Sequence, residues 1–149
     1  MVSVKIHILE SALEPYQLLA AHEAANTSLR GAAGATASFV GTMRDNNEDD
    51  AVTGMTLEHY PEMTAKHLEK IGERALQRWQ LLDVLIAHRV GELLPGDPIV
   101  LVAAWSKHRK DAFEASRFIM EDLKSEAPFW KKERLVDGER WVEKNTPGF

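Results

Sequence analysis

The chain has 149 residues, 44% of them hydrophobic, with no cysteine, a net charge of −5 and a pI near 5.7. A length of this order suits one domain with its own core, so a single domain spanning 1–149 is expected, and the acidic balance argues against a dedicated nucleic-acid binder. Lack of cysteine excludes disulfides, thiolate metal sites and cysteine-borne sulfur chemistry for this chain acting alone, and with no basic-then-apolar leader and no run near the roughly 20 apolar residues of a membrane span, a cytoplasmic protein with no membrane partner is expected.

In chain order, Val2 to Ile8 alternates apolar and polar residues, the period of a half-buried strand with His7 on its polar face. Pro15 to about Ser28 is rich in Ala and Leu and opens on a proline suited to a first helical turn. Gly31-Ala-Ala-Gly34 ends that helix, and Ala35 to Met43 reads as a strand leading to Arg44. The acidic run Asp45 to Asp50 reads as a solvated hairpin connection; it lacks the ordered spacing of a calcium loop. Val52 to His59 is the expected return strand. Pro61 opens a second helix with Met63, Leu68, Ile71, Ala75 and Trp79 at helical spacing, and Trp79 is expected in the core.

Leu81 to His88 and Ile99 to Trp105 are two further strands around the breaker-rich loop Gly91 to Pro98, and the second, almost wholly apolar, is expected to be central. A third helix from about Lys110 to Ala127 carries Phe113, Met120 and Leu123 on an inward stripe and stops before Pro128. Trp130 to Val136 and Arg140 to Glu143 form a hairpin around Asp137-Gly138. Helices interspersed with strands joined by short loops indicate an α+β class, mostly antiparallel, with about three helices and a C-terminal hairpin.

The positive charge sits late. Residues 1–104 hold 8 Lys/Arg against 14 Asp/Glu, whereas residues 105–149 hold 10 against 9. His108-Arg109 follows the central strand and precedes the third helix, where an imidazole, an Arg fork and a helix N-terminus can converge on one anion; helix capping and a solvated charge fit the pair as well. Lys124 and Lys131 flank the Pro128-Phe129-Trp130 break. If the chain reverses there, both face one hollow, and crowding with burial lowers a lysine pKa enough to supply an amine base or nucleophile. A lysine complementing the helix dipole and an exposed strand explain the same residues. Arg44 is a third cationic candidate, with Gly41 before it permitting close approach to the backbone. His59, His67 and His88 show no ligand spacing, so no metal and no cofactor are expected.

Five segments in order carry a family resemblance: Phe39-Val-Gly-Thr-Met-Arg44-Asp, Leu57-Glu-His-Tyr60-Pro-Glu-Met63, His88-Arg-Val-Gly91-Glu, His108-Arg109 with Ala112-Phe113, and Lys124 through Glu133 with Trp141-Val. Together they resemble the large, catalytic subunit of molybdopterin synthase over roughly Gly34 to Glu143. The resemblance implies an α+β hammerhead fold and a sulfurtransferase of molybdenum-cofactor biosynthesis, which converts cyclic pyranopterin monophosphate to molybdopterin. It inserts two sulfurs from the C-terminal Gly-Gly thiocarboxylate of a small ubiquitin-like partner, in a homodimer within a heterotetramer.

Carried over by motif, Lys124 and Lys131 are the catalytic pair; a mechanism with Lys124 as base or transient nucleophile and Lys131 as electrostatic stabiliser fits them, although the sequence does not fix which lysine does which. Thr42, Met43, Arg44, His108, Arg109, Lys132 and Glu133 are the substrate-binding set. Phe39, Gly41, Met120, Phe129 and Trp130 form the channel for the partner's tail. Family members can carry a terminal basic residue that reaches the other protomer's pocket, and Arg140 or Lys144 are the substitutes here. The rival readings are a non-catalytic anion- or nucleotide-binding module and a pure interaction subunit docking through Phe129-Trp130.

Overall fold

The computed structural model describes residues 4–126 and 129–142. Val2, Ala127, Pro128, Glu143 and Lys144, on which some sequence expectations fall, lie outside them. Chain order is β1 (Val4–Leu9), α1 (Pro15–Ala25), a short 3-10 turn (Thr27–Leu29), β2 (Ala35–Thr42), β3 (Asn46–Asn47), β4 (Asp50–His59), α2 (Pro61–Arg78), β5 (Leu81–Arg89), β6 (Gly91–Leu93), β7 (Pro98–Ser106), α3 (Arg109–Glu126), β8 (Phe129–Leu135) and β9 (Gly138–Trp141). The class is α+β, with three α-helices and pairing that is antiparallel except between β1 and β5.

The first sheet has the order β1-β5-β7-β2 and carries helices on both faces. Period-2 alternation sorts its side chains. Val84, Ile86, Val100, Val102 and Ala104 meet Leu68, Ile71 and Ala75 of α2 and Ala115, Ile119 and Leu123 of α3. Leu85, Ala87, Leu101, Ala103 and the fully buried Trp105 face the other way, toward Leu13, Leu29 and α1. As expected, β7 is central; β5, apolar on both faces, is interior with it. The second sheet runs β3-β4-β8-β9, with β6 also on β4, and buries Met43, Val52, Met55, Leu57 and Leu93.

Several side chains depart from expectation. Phe113 is 67% exposed, because the buried stripe of α3 is Ala112, Ala115, Ser116, Ile119, Met120 and Leu123. Met63 is exposed, and Trp79 sits at the rim of the core against Phe118, its indole N–H donating to Glu114. His7 is on the face that α1 covers; burial, Lys5 and His22 lower its pKa. The acidic connection is, as expected, an exposed hairpin, and its turn places Glu48 and Asp49 in the left-handed region at φ 52° and 66°.

Helix α1 buries only Pro15 and His22 fully, so apolar contact alone holds it weakly. Polar contacts supplement it. His22 Nε2 donates to Asp83 Oδ2 at 2.7 Å, the imidazole stacks on Trp105 at 4.9 Å, and the Trp105 indole N–H donates to Glu23 at 3.1 Å. His22→Ala leaves Asp83 without this partner and a gap over Trp105. The expected cost is about 2–4 kcal/mol in urea unfolding, a loss in the denaturation midpoint with an unchanged slope.

Candidate active site

Where the two sheets meet, the ends of β2, β5 and β7, the last turn of α3 and the inner face of β8 enclose a hollow with two arms. One arm, of about 110 Å³, is lined by Thr42, Met43, Arg44, Asn46, Asn47, Met55, Ile99, Lys124, Lys131, Glu133 and Val142. The other, of about 100 Å³, is lined by Phe39, Gly41, Thr42, His88, Ile99, Val100, Met120, Leu123, Lys124, Phe129 and Lys131. Thr42, Ile99, Lys124 and Lys131 belong to both, so the two lysines stand at the junction of a polar arm and an apolar one.

Each element delivers its residue for a local reason. Lys124 follows Leu123 on the buried stripe of α3, which points it along the core edge toward the sheet. On β8, Phe129, Lys131 and Glu133 share the inner face because they pair with His59, Leu57 and Met55, whose own face is buried. The residues between them, Trp130 and Lys132, therefore point the other way. Trp130 packs edge-on against Tyr60 at 5.2 Å, and Lys132 reaches Glu139 at 3.5 Å and lies over the Trp141 ring. Within this chain the alternation therefore does not bring Trp130 and Lys132 to the hollow, although both were expected there.

His108 and Arg109 are also not brought to the hollow. They are exposed at the N-terminus of α3, whereas Lys124 is near its C-terminus. The 15 residue steps from Arg109 to Lys124 along α3, at about 1.5 Å rise each, separate them by about 22 Å within one chain. Gly41 does line the apolar arm, but the space a side chain would occupy is already used. A Cβ there would lie 2.7 Å from Val100 Cγ1 and 3.3 Å from the Phe39 ring.

Electrostatics single out Lys131. Burial, then the adjacent Lys124 ammonium, lower its pKa from 10.5 to about 8, with Glu133 opposing weakly. Glu133 opposes weakly because its carboxylate is engaged elsewhere: it is 6% exposed and accepts from Asn47 Nδ2 at 3.1 and 3.2 Å and from Arg140 Nε at 3.0 Å. Arg140 in turn donates to Asp50 at 2.7 Å and to the Asn47 carbonyl at 3.0 Å. Within its own chain Arg140 thus helps to close the polar arm.

His88 is a wall residue that sequence reading considered only as a metal ligand. It stacks on Phe129 with ring centroids 3.9 Å apart and lines the apolar arm. Its signal was present: Val84, Ile86 and His88 share one phase of β5, so the histidine ends a buried face. Among the described residues no group of His, Asp and Glu has metal-site geometry, and no helix is long and apolar enough to cross a membrane.

The MoaE protein family profile matches residues 12–126. A "Molybdopterin synthase catalytic subunit" of Ralstonia nicotianae is 59% identical over 110 residues, covering 74% of this chain and 62% of that protein. The one of Pseudomonas aeruginosa is 50% identical over 138 residues, covering 93% and 89%. Among solved structures, a molybdopterin biosynthesis MoaE protein from Burkholderia ambifaria superposes with a TM-score of 0.76 at 47% identity, over 99% of this chain and 93% of that one. A complex of subunits 1 and 2 of the molybdopterin-converting factor from Helicobacter pylori superposes with a TM-score of 0.76 at 26% identity, over 95% and 92%. The chain belongs to the MoaE family, that of the molybdopterin synthase catalytic subunits.

Removing the Lys124 charge while keeping its stem tests the electrostatics. In Lys124→Met, Lys131 is expected to titrate above 8 yet still below 10.5, since burial persists, as read by NMR of the lysine side chains. Because folding lowers this pKa, the native state binds the proton less tightly than the unfolded chain, and the intact protein gains stability as pH rises from about 8 to 10.5. That gain shrinks in the variant.

Proposed function

We propose that the chain converts cyclic pyranopterin monophosphate to molybdopterin in the cytoplasm, transferring two sulfurs, one from each of two C-terminal Gly-Gly thiocarboxylates of a small ubiquitin-like partner, each of which leaves as a carboxylate. The observation that carries this reading is the Lys124–Lys131 pair at the junction of a polar and an apolar arm, in a chain with no sulfur nucleophile of its own. The two-subunit complex among the structural neighbours supports a small partner.

In this reading the polar arm, with Arg44 at its mouth and Thr42 and Asn47 in its wall, takes the pterin and its phosphate. The apolar arm takes the partner's tail, whose small residues fit between Phe39, Met120 and Phe129. The thiocarboxylate sulfur then meets the pterin carbon beside the lysines. Lys131, with a pKa near 8, is the amine that accepts a proton near neutrality, and Lys124 holds the negative charge that develops. This is the opposite of the assignment set out from sequence, since it is the strand lysine that is lowered to about 8. For His108 and Arg109 to meet the same substrate, a second copy must bring them, which fits a homodimer within a heterotetramer.

A module that only binds anions gains nothing from a lysine lowered toward neutrality. Lys131→Ala and Lys131→Arg are therefore both expected to lose about 10²- to 10⁴-fold in turnover, since arginine keeps the charge but cannot be the base. Lys124→Ala is expected to abolish product formation with fold and partner binding intact. The assay combines the protein, a thiocarboxylated small subunit and the cyclic pyranopterin, and reads the oxidised fluorescent pterin. Near-normal turnover by Lys131→Arg would refute the base assignment, and absence of product with the unaltered protein would refute the enzyme reading.

A further inference from the structure

His88 is a buried imidazole whose acceptor nitrogen the mechanism above does not use. Its Nδ1 lies 2.7 Å from the Arg89 carbonyl oxygen. A carbonyl only accepts, so Nδ1 carries the hydrogen and Nε2 is left as a bare lone pair. Nε2 has no hydrogen-bond partner among the described residues. The ring lines the apolar arm, and with Nδ1 held by the Arg89 carbonyl, Nε2 is the one polar atom the ring has left to offer there. The residue as a whole is only 8% exposed, and stacking on Phe129 at 3.9 Å fixes the ring plane.

The chemistry of that arm makes an acceptor unusual. Its other polar side chains are Thr42, Lys124 and Lys131, and both lysines donate. A peptide end entering it brings two needs: a terminal anion, which the ammonium groups meet, and at least one backbone N–H that would otherwise be buried without a partner. Resting on the functional reading above, we infer that His88 Nε2 accepts the hydrogen bond of the terminal glycine N–H of the partner's tail and so sets the depth to which that tail enters.

The imidazole stays neutral for this. Burial lowers its pKa to about 4, and the charges facing it, Lys131 on β8, Lys124 on α3 and His59 at the end of β4, oppose protonation further. Acceptor capacity therefore does not change between pH 6 and 8. Its role is one of binding and positioning rather than proton transfer.

The test compares the affinity of the small subunit with its complete tail against the same subunit lacking its last two residues, by titration calorimetry. The ratio of the two isolates the tail. His88→Phe keeps a ring against Phe129 and removes the acceptor, and is expected to shrink this ratio roughly ten-fold. His88→Gln restores an acceptor and is expected to recover most of the ratio. A complementary arm removes the donor instead: a tail with an N-methylated terminal glycine is expected to lose affinity for the unaltered protein and to lose no more against His88→Phe. An unchanged ratio in His88→Phe, an equal loss in His88→Gln, or full affinity of the N-methylated tail overturns the inference alone. A ratio of one with the unaltered protein overturns both the inference and the functional reading beneath it.

Discussion

Two ammonium groups held together away from bulk water repel each other and lose hydration at once, and the organisation of this site depends on accepting that cost at Lys124 and Lys131. An exposed pair would swing apart. Here Lys124 is on an 18-residue helix whose buried stripe is locked against the first sheet, and Lys131 is on a strand whose inner face is locked against β4. Neither stem can retreat without unpacking core. The nearest compensating carboxylate, Glu133, lies two residues along the same face of β8, yet Asn47 and Arg140 draw off its charge. Burial and the Lys124 ammonium therefore outweigh Glu133 at Lys131, which brings its amine toward neutrality.

The seam between the sheets explains why the hollow is there. β2 and β5 end where β7 begins, at one end of the first sheet, since β7 runs antiparallel to both its neighbours. Their terminal residues Thr42, His88 and Ile99 face β8 across the gap rather than another strand of their own sheet. The hairpin β3–β4 then folds over the polar arm, and its turn keeps Glu48 and Asp49 at positive φ while Arg140 holds Asp50. The acidic run that looks like a solvated connection is in this way the counter-charge for Arg140, and its backbone strain is sustained by that contact.

Much of this is legible in the residues. Period-2 alternation marks β5 and β7, helical spacing places Leu68, Ile71, Ala75, Met120 and Leu123 inside, and Asp137-Gly138 marks the last hairpin. What misled was phase and distance. Lys131-Lys132 and Phe129-Trp130 are adjacent in sequence but opposite across a strand, and only pairing with β4 tells which member faces in. Phe113 is large and apolar in a helical run, yet the α3 stripe is carried by Ala112, Ala115 and Ser116, small residues that let the helix lie close to β7. His88 looked like one unpaired histidine among several because its stacking partner is 41 positions away, as subtracting 88 from 129 gives.

Distance also governs the remaining question of how the cationic residues act together. His108-Arg109 and Lys124 begin and nearly end the same rigid helix, so no rotamer or loop movement within one chain closes a gap of about 22 Å between them. A single anion meeting all of them must lie between two chains. Arg140 offers no alternative route, because its guanidinium already holds Glu133, Asp50 and the Asn47 carbonyl of its own chain. Under the proposed function, Arg44, exposed at the mouth of the polar arm, is the cation that its own chain would present to the phosphate, and the exposed start of α3 is where a second copy would make its contribution. Under the proposed function, assembly in this arrangement would complete a phosphate site while leaving the lysine pair, and the arm that His88 lines, within one chain.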